Sequence, residues 1–487
     1  MNQFKHKPTD HTVAPLSLHQ IKSVSKKKKD VDEKPYEYWL KKNWYYHKLI
    51  INFYRFVIPE GSSVLQINCK NGYLLDAVKP LFGVGIESDE TIIASTRHQY
   101  PLYQFYTGLE KVPARCTFDY IMLSLVTMEI EDIQGLFQQL QAYCHPGTRI
   151  IIDTYSYLWE PILWITQKLG LRRPTTFKNW ISPQDLQNFL HLAGFETVTQ
   201  GPHTLFPAYI PLISWFFNAV FAQVPLLRRL CLHEWIIARP APQLLNAQDV
   251  RVSIIIPCRN EKGNVEAAVL RCPQMGNDME LIFVEGHSHD GTLEEIKRVV
   301  AEYPDKNIRW FVQDGKGKGD AVRKGFAHAR GDILMILDAD LTVPPEELPK
   351  FFNALISGKG EFINGSRLVY GMESEAMRFL NLLANHFFSV LFSWLLSQRV
   401  KDTLCGTKVL WKRDYEKIVA SRHYFGNFDP FGDFDLLFGA AKLHLKIIDV
   451  PIRYKNRTYG STQIRRFVHG WILLGMSLLA LKKFKFR

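Results

Sequence analysis

The sequence predicts two doubly wound α/β domains in one chain, and three observations lead there. At 487 residues the chain is too long for one ordinary core. Short apolar runs of strand length alternate with helical patterns in both halves. A proline-spaced stretch, Arg239-Pro240-Ala241-Pro242 to Asp249, parts the halves as a linker would. With 46% hydrophobic and 22% charged residues, most of the chain reads as globular.

Residues 1–34 are polar and lysine-rich, with Lys26-Lys27-Lys28-Lys29 and no apolar core. They read as a disordered basic tail and not as a signal peptide. The seven cysteines (Cys69, Cys116, Cys144, Cys231, Cys258, Cys272 and Cys405) are scattered and odd in number. Their spacing suggests neither a zinc site nor a disulfide framework, and points to a reducing compartment. The first domain is expected over 35–200, an amphipathic segment and linker over 201–248. Within the first domain Val64-Leu65-Gln66-Ile67 reads as a buried strand, followed by the turn Asn68-Cys69-Lys70-Asn71-Gly72 and a helix over 73–78. Gly83-Val84-Gly85-Ile86-Glu87 is a second strand ending in an acid, residues 118–123 a third and 148–152 a fourth. A strand, a turn at a helix start and an acid closing the next strand follow the logic of an adenosine-cofactor site. Gly72 would lie in its turn and Glu87 on the ribose hydroxyls.

Residues 38–200 thereby resemble the class I S-adenosylmethionine-dependent methyltransferases. That family's loop reads acid-x-Gly-x-Gly-x-Gly; the matching positions here are Gln66, Asn68, Lys70 and Gly72. The acid usual after the third strand is also missing, since Gly108 is followed by Leu109. Side chains at Asn68 and Lys70 crowd a backbone meant to approach the cofactor closely. The resemblance implies a Rossmann-like fold kept as scaffold or regulatory module, with S-adenosylmethionine held weakly or not at all. A second, methyl-transferring activity is the alternative.

The second half carries four features in order. The apolar strand 252–256 ends in Pro257-Cys258-Arg259-Asn260-Glu261, a polar, acid-containing turn at the strand edge where α/β sheets bind nucleotides. Glu280-Leu281-Ile282-Phe283-Val284-Glu285 is a strand whose last acid can accept hydrogen bonds from a base or ribose. Gly315-Lys316-Gly317-Lys318-Gly319-Asp320 precedes a helix over 321–329, a setting that suits phosphate. No Walker spacing is present. Last, the strand 333–337 runs into Asp338-Ala339-Asp340. Two carboxylates one residue apart at a strand end can share a divalent cation, Mg²⁺ or Mn²⁺, which bridges the phosphates of a nucleotide. His287-Ser288-His289-Asp290 lacks further ligands nearby and reads as a loop, not a zinc site.

Residues 250–466 resemble the family 2 glycosyltransferases of GT-A fold, in particular the polyprenyl-phosphate, dolichol-phosphate mannose synthase-like branch. Further matches are Gly365-Ser366-Arg367, Asp402-Thr403-Leu404-Cys405-Gly406-Thr407-Lys408, and Val450-Pro451-Ile452 leading to Arg457-x-x-Gly460-Ser461. Glu285-Gly286 replaces a usual pair of aspartates, and Thr342 stands where relatives often have Gln. The Gln-x-x-Arg-Trp motif of processive synthases is absent, which favours single-sugar transfer. The resemblance implies a nucleotide-sugar-binding domain over 249–366 and an acceptor-binding, membrane-interfacial part over 367–487. The donor would be a UDP- or GDP-hexose and the acceptor a polyprenyl phosphate. Arg367, Arg378 and Arg457 would supply cationic donors to the acceptor phosphate. For the rival reading, transfer to a glycan or protein hydroxyl, the candidate bases are Asp402, Asp433 and Asp435.

No stretch reads as a transmembrane helix, which needs about 20 apolar residues. The best candidates, 209–227 and 467–481, read as interfacial or buried. Between Arg378 and Gln398 the polar positions Asn381, Asn385, Ser389, Ser393 and Ser397 recur every four residues among apolar ones, the pattern of a helix with a narrow polar stripe. From Pro451 to Arg487 there are nine Lys/Arg and no Asp or Glu. A basic, apolar segment of this kind suits an anionic lipid surface better than nucleic acid. The expected location is therefore the cytoplasmic face of a membrane, peripherally bound, with room for a separate membrane-anchored partner.

Overall fold

The computed structural model describes residues 34–175, 179–370, 379–424, 432–460 and 466–485. Arg378 and Ser461 therefore lie outside the described residues. The chain divides into two compact units. The first runs to Glu196 and adds Phe206–Tyr209 and Leu230–Pro240; the second takes Thr197–Leu205, Ile210–Arg229 and Ala241 onward. The segment read as linker thus contains a strand, because His233–Pro240 pairs antiparallel with Cys144–Tyr155 inside the first sheet and ends at its proline.

The first sheet has seven strands: β1 (Ser63–Ile67), β2 (Phe82–Ile86), β3 (Gln104–Tyr106), β4 (Phe118–Ser124), β5 (Cys144–Tyr155), β6 (Phe195–His203) and β7 (His233–Pro240). Their order is β3-β2-β1-β4-β5-β7-β6. Strands β1 to β5 pair in parallel, whereas β7 runs antiparallel to β5. Successive residues of a strand face opposite sides, and both sides are apolar here. Leu65, Ile121 and Ile150 belong to one core. Val64, Tyr120 and Ile151 belong to the other.

The second sheet also has seven strands: β8 (Arg251–Cys258), β9 (Asp278–Glu285), β10 (Ile308–Val312), β11 (Ile333–Ile336), β12 (Phe362–Ser366), β13 (Lys408–Trp411) and β14 (Ile447–Pro451). Their order is β10-β9-β8-β11-β13-β12-β14. Strands β8 to β11 are parallel, β13 is antiparallel to both its neighbours, and β12 and β14 are parallel. Both domains are thus α/β with mixed sheets. Val252, Ile254 and Ile256 of β8 face one core. Ile255 faces the helix Lys318–His328, and a Cβ at Gly325 would run into it. The missing side chain lets this helix lie close on β8, which sets its first residue, Lys318, near the strand ends.

Candidate functional site

The chemistry-bearing residues of the second unit gather at the C-terminal ends of β8, β9 and β11, where helix N-termini and loop amides converge. Cys258 pairs with Glu285 in register, and Ile336 with Ile255, so Pro257, Glu285 and the turn after Ile336 come to one sheet edge. Asn260 has left-handed φ, 55°. Its N–H donates to Ser288 Oγ and its Oδ1 accepts from His289 N–H, both at 2.9 Å. The Glu261 N–H donates to Thr292 Oγ1 at 3.0 Å, and Ser288 N–H donates to Glu285 Oε1 at 2.6 Å. The loop 286–292 is therefore a frame that fixes Asn260, Glu261 and Glu285. Glu285 is buried.

Past β11, Asp338 and Asp340 each meet a cation of the chain itself. Lys318 Nζ lies 2.6 Å from Asp338 Oδ1 and 3.8 Å from Asp433 Oδ1. Arg457 donates to Asp340 Oδ2 at 2.5 Å and to Glu261 Oε1 at 2.9 Å. Thr342 donates its N–H and hydroxyl to Asp340 Oδ1, at 3.1 and 2.8 Å. Ala339 between them is buried. Burial is the largest single influence on Asp338 and works against its charge, but Lys318 together with Lys408 and Arg367 holds the carboxyl below its ordinary pKa. Burial likewise opposes the Lys318 ammonium, and Asp338 and Asp433 raise its pKa nonetheless. For Glu261 burial prevails over Arg457, and its pKa is raised. Gly406 passes so close to Asp338 and Lys318 that a Cβ there would strike both.

The helix expected over 321–329 begins at Lys318, because the glycine-rich turn ends at Gly317 and Gly319 and Asp320 already lie in the first helical turn. Asp320 accepts from Gly315 N–H at 2.8 Å and closes that turn. Arg367 makes a two-point contact with the buried Asp402, at 2.7 and 2.9 Å, and stacks over Tyr454. Asn385 also donates to Asp402, at 3.3 Å. Arg367 is thereby bound to the chain's own acid, while its charge still reaches Asp338 and helps to keep it ionised. Asp433, expected only as a base for a hydroxyl acceptor, instead faces Lys318, and Gly406 and Tyr459 join the site as residues to which the sequence assigned no role. Tyr459 donates to Asp290 Oδ2 at 3.2 Å and packs on Gly263. Their signal in the sequence is position alone, two residues past Arg457 for Tyr459 and inside the Asp402–Lys408 run for Gly406.

Paired acids at the strand ends, a lysine on a helix start and a framed acidic loop thus meet at one edge of an α/β sheet. Residues 253–416 match the family described as Glycosyl transferase family 2, and residues 41–200 the one described as Methyltransferase domain. The C-terminal half therefore carries a family 2 glycosyltransferase domain, and the N-terminal half a methyltransferase-like domain. Among curated relatives, a dolichol-phosphate mannosyltransferase of Pyrococcus furiosus is 30% identical over 221 residues, 44% of this chain and 60% of the relative. A dolichol-phosphate mannosyltransferase of Saccharomyces cerevisiae is 38% identical over 112 residues, 22% of this chain and 41% of the relative. An undecaprenyl-phosphate 4-deoxy-4-formamido-L-arabinose transferase of Aeromonas hydrophila is 34% identical over 119 residues, 23% of this chain and 36% of the relative. The chain spans less than two thirds of the length of each.

Proposed function

We propose that the second unit moves one hexose from a nucleoside-diphosphate sugar to a polyprenyl monophosphate at a membrane surface. The observation that carries this is the pair Asp338 and Asp340 just past β11, with Glu261 close to Asp340 and each aspartate matched by a cation. Their oxygen donors suit Mg²⁺ or Mn²⁺. A divalent cation held there would neutralise charge building on the departing diphosphate. Lys318, at the start of its helix, is placed to turn from Asp338 to a phosphate oxygen, and Arg457 to turn from Asp340 to the acceptor phosphate. An acceptor phosphate oxygen forms the bond to the anomeric carbon as the bond to the nucleoside diphosphate breaks, so the configuration inverts. That oxygen is already anionic and needs no general base.

Transfer to a hydroxyl would need such a base, and each candidate already faces a cation of the chain. Asp402 is held by Arg367, Asp435 by Arg422 at 2.8 Å, and Asp433 lies beside Lys318. This favours the phosphate acceptor, in keeping with relatives named for dolichol and undecaprenyl phosphate.

Inverted polarity supports the membrane setting. No helix among the described residues is long and apolar enough to cross a membrane. In the helix Phe379–Leu396 the polar stripe turns inward: Ser389 donates to Val400 carbonyl at 2.8 Å, and Ser393 accepts from Val400 N–H at 2.9 Å. Phe387 and Val390 face outward. In the helix Arg466–Ala480, Ser477 is buried while Trp471, Leu474 and Leu478 are exposed. The segment Ile210–Arg229 repeats this, with Ser214 buried and Leu212, Trp215 and Phe216 exposed. Apolar rows outside and hydroxyls inside fit a lipid boundary flanked by Lys482, Lys483 and Lys485. The test is incubation with a panel of sugar nucleotides and polyprenyl phosphate in vesicles, with and without chelator. Lipid-linked sugar that forms equally well in chelator goes against the metal, and none from any donor goes against the reaction.

A further inference from the structure

The first unit keeps the backbone of a cofactor loop and fills it with side chains. Asn68 and Lys70 have left-handed φ values of 55° and 52°, and Gly72 follows at 74°. Glycine takes that conformation at least cost, so the fold has kept the loop shape while losing two residues that suit it. Both side chains turn to one carboxylate. Asn68 Nδ2 donates to Glu129 Oε2 at 2.7 Å, and Lys70 Nζ lies 3.2 and 3.3 Å from the two Glu129 oxygens. Glu129 ends the short helix Val126–Glu129 that follows β4. The pair is about three-quarters shielded, with side chains 27% and 25% exposed.

The acid at the end of β2 is occupied as well. Glu87 is 7% exposed. Its Oε2 accepts from Lys70 N–H at 3.1 Å, and its Oε1 from Asp89 N–H at 3.2 Å and Ser88 hydroxyl at 3.4 Å. A ribose would have to compete for those lone pairs. S-adenosylmethionine also brings a sulfonium cation, which an ammonium in the same loop repels. The residues present therefore do not fit the cofactor that the methyltransferase resemblance implies.

We propose that Lys70 and Glu129, with Asn68, plug the cofactor cradle from within, so that this methyltransferase-like unit does not bind S-adenosylmethionine. The unit then serves the chain as a folded module without methyl transfer. Calorimetric titration of the full chain with S-adenosylmethionine and S-adenosylhomocysteine tests this. No saturable heat is expected up to roughly 1 mM ligand, and binding in the low-micromolar range overturns the proposal. The double variant Asn68→Gly/Lys70→Gly places glycine where φ already suits it. It is expected to bind S-adenosylhomocysteine at least about tenfold more tightly than the parent chain. A variant that melts as cooperatively as the parent yet stays silent overturns the role given to these two side chains. The titration of the unaltered chain stands as a test even if the variant fails to fold.

Discussion

Replacing Asp340 by asparagine separates the electrostatics of the site from its folding. In Asp340→Asn the side-chain oxygen that accepts from Thr342 survives. What goes is one charge-assisted contact, from Arg457 Nη2 at 2.5 Å, while Arg457 keeps Glu261 at 2.9 Å. The Arg457 and Asp340 side chains are 24% and 16% exposed, so solvent already screens part of that contact. The expected stability loss is on the order of 1 kcal/mol, or a few degrees in Tm. The loss in transfer is far larger, roughly a hundredfold or more in kcat, because half of the carboxylate charge available to a divalent cation is removed. Labelled sugar extracted with the lipid, measured against Mn²⁺ concentration beside a thermal melt, reads both quantities. Parental turnover at limiting Mn²⁺ would refute the metal assignment. A collapsed melting transition would show Asp340 to be structural first.

Three further outcomes follow from named contacts. Arg367→Ala leaves the fully buried Asp402 without its guanidinium and should cost about 3–5 kcal/mol in urea unfolding, with Arg367→Lys recovering only part; an unchanged midpoint contradicts this. Trp471→Ser with Leu478→Ser, at positions 74% and 59% exposed, should leave Tm nearly unchanged while weakening flotation with anionic vesicles roughly tenfold or more. Undiminished flotation would count against the lipid face. Burial lowers the pKa of His47, beside the Tyr73 hydroxyl, from 6.5 to about 4. The folded chain thus favours neutral imidazole, and its stability is full above pH 6.5 and drains as pH falls through 4. His47→Asn should remove on the order of 2 kcal/mol of that acid sensitivity, and identical Tm-against-pH curves would exclude it.

Much of the site was legible because buried parallel strands show as unbroken apolar runs, and chemistry sits where those runs stop. Ile254, Ile255 and Ile256 announced β8 and its turn, and Leu334, Met335 and Ile336 announced the aspartates. The short β10 and β14 are only partly buried and leave no such run. Strand β7 was hidden by Pro240 and Pro242, which read as linker although Ile236, Ile237 and Ala238 are core. The four-residue polar period in 379–396 was visible, but not that Ser389 and Ser393 would turn inward, since that depends on the carbonyl and N–H of Val400. From sequence alone Lys318 and Arg457 suit phosphate. Their present partners, Asp338 and Asp340, lie too far along the chain for any local pattern to tie them.

That last distance bears on how the enzyme is made. Arg457 is 117 residues from Asp340 and 196 from Glu261, so one guanidinium joins the turns after β8 and β11 to the loop after β14. Contacts of such long span form late, because a large loop must close before they are rewarded. A chain still being synthesised can complete β8, β9 and β11 long before residue 457 exists, with Glu261 and Asp340 facing each other uncompensated. Synthesis therefore completes this cluster only once residue 457 has been added, and a fragment ending before Arg457 should hold its sheet but carry surplus negative charge at the site.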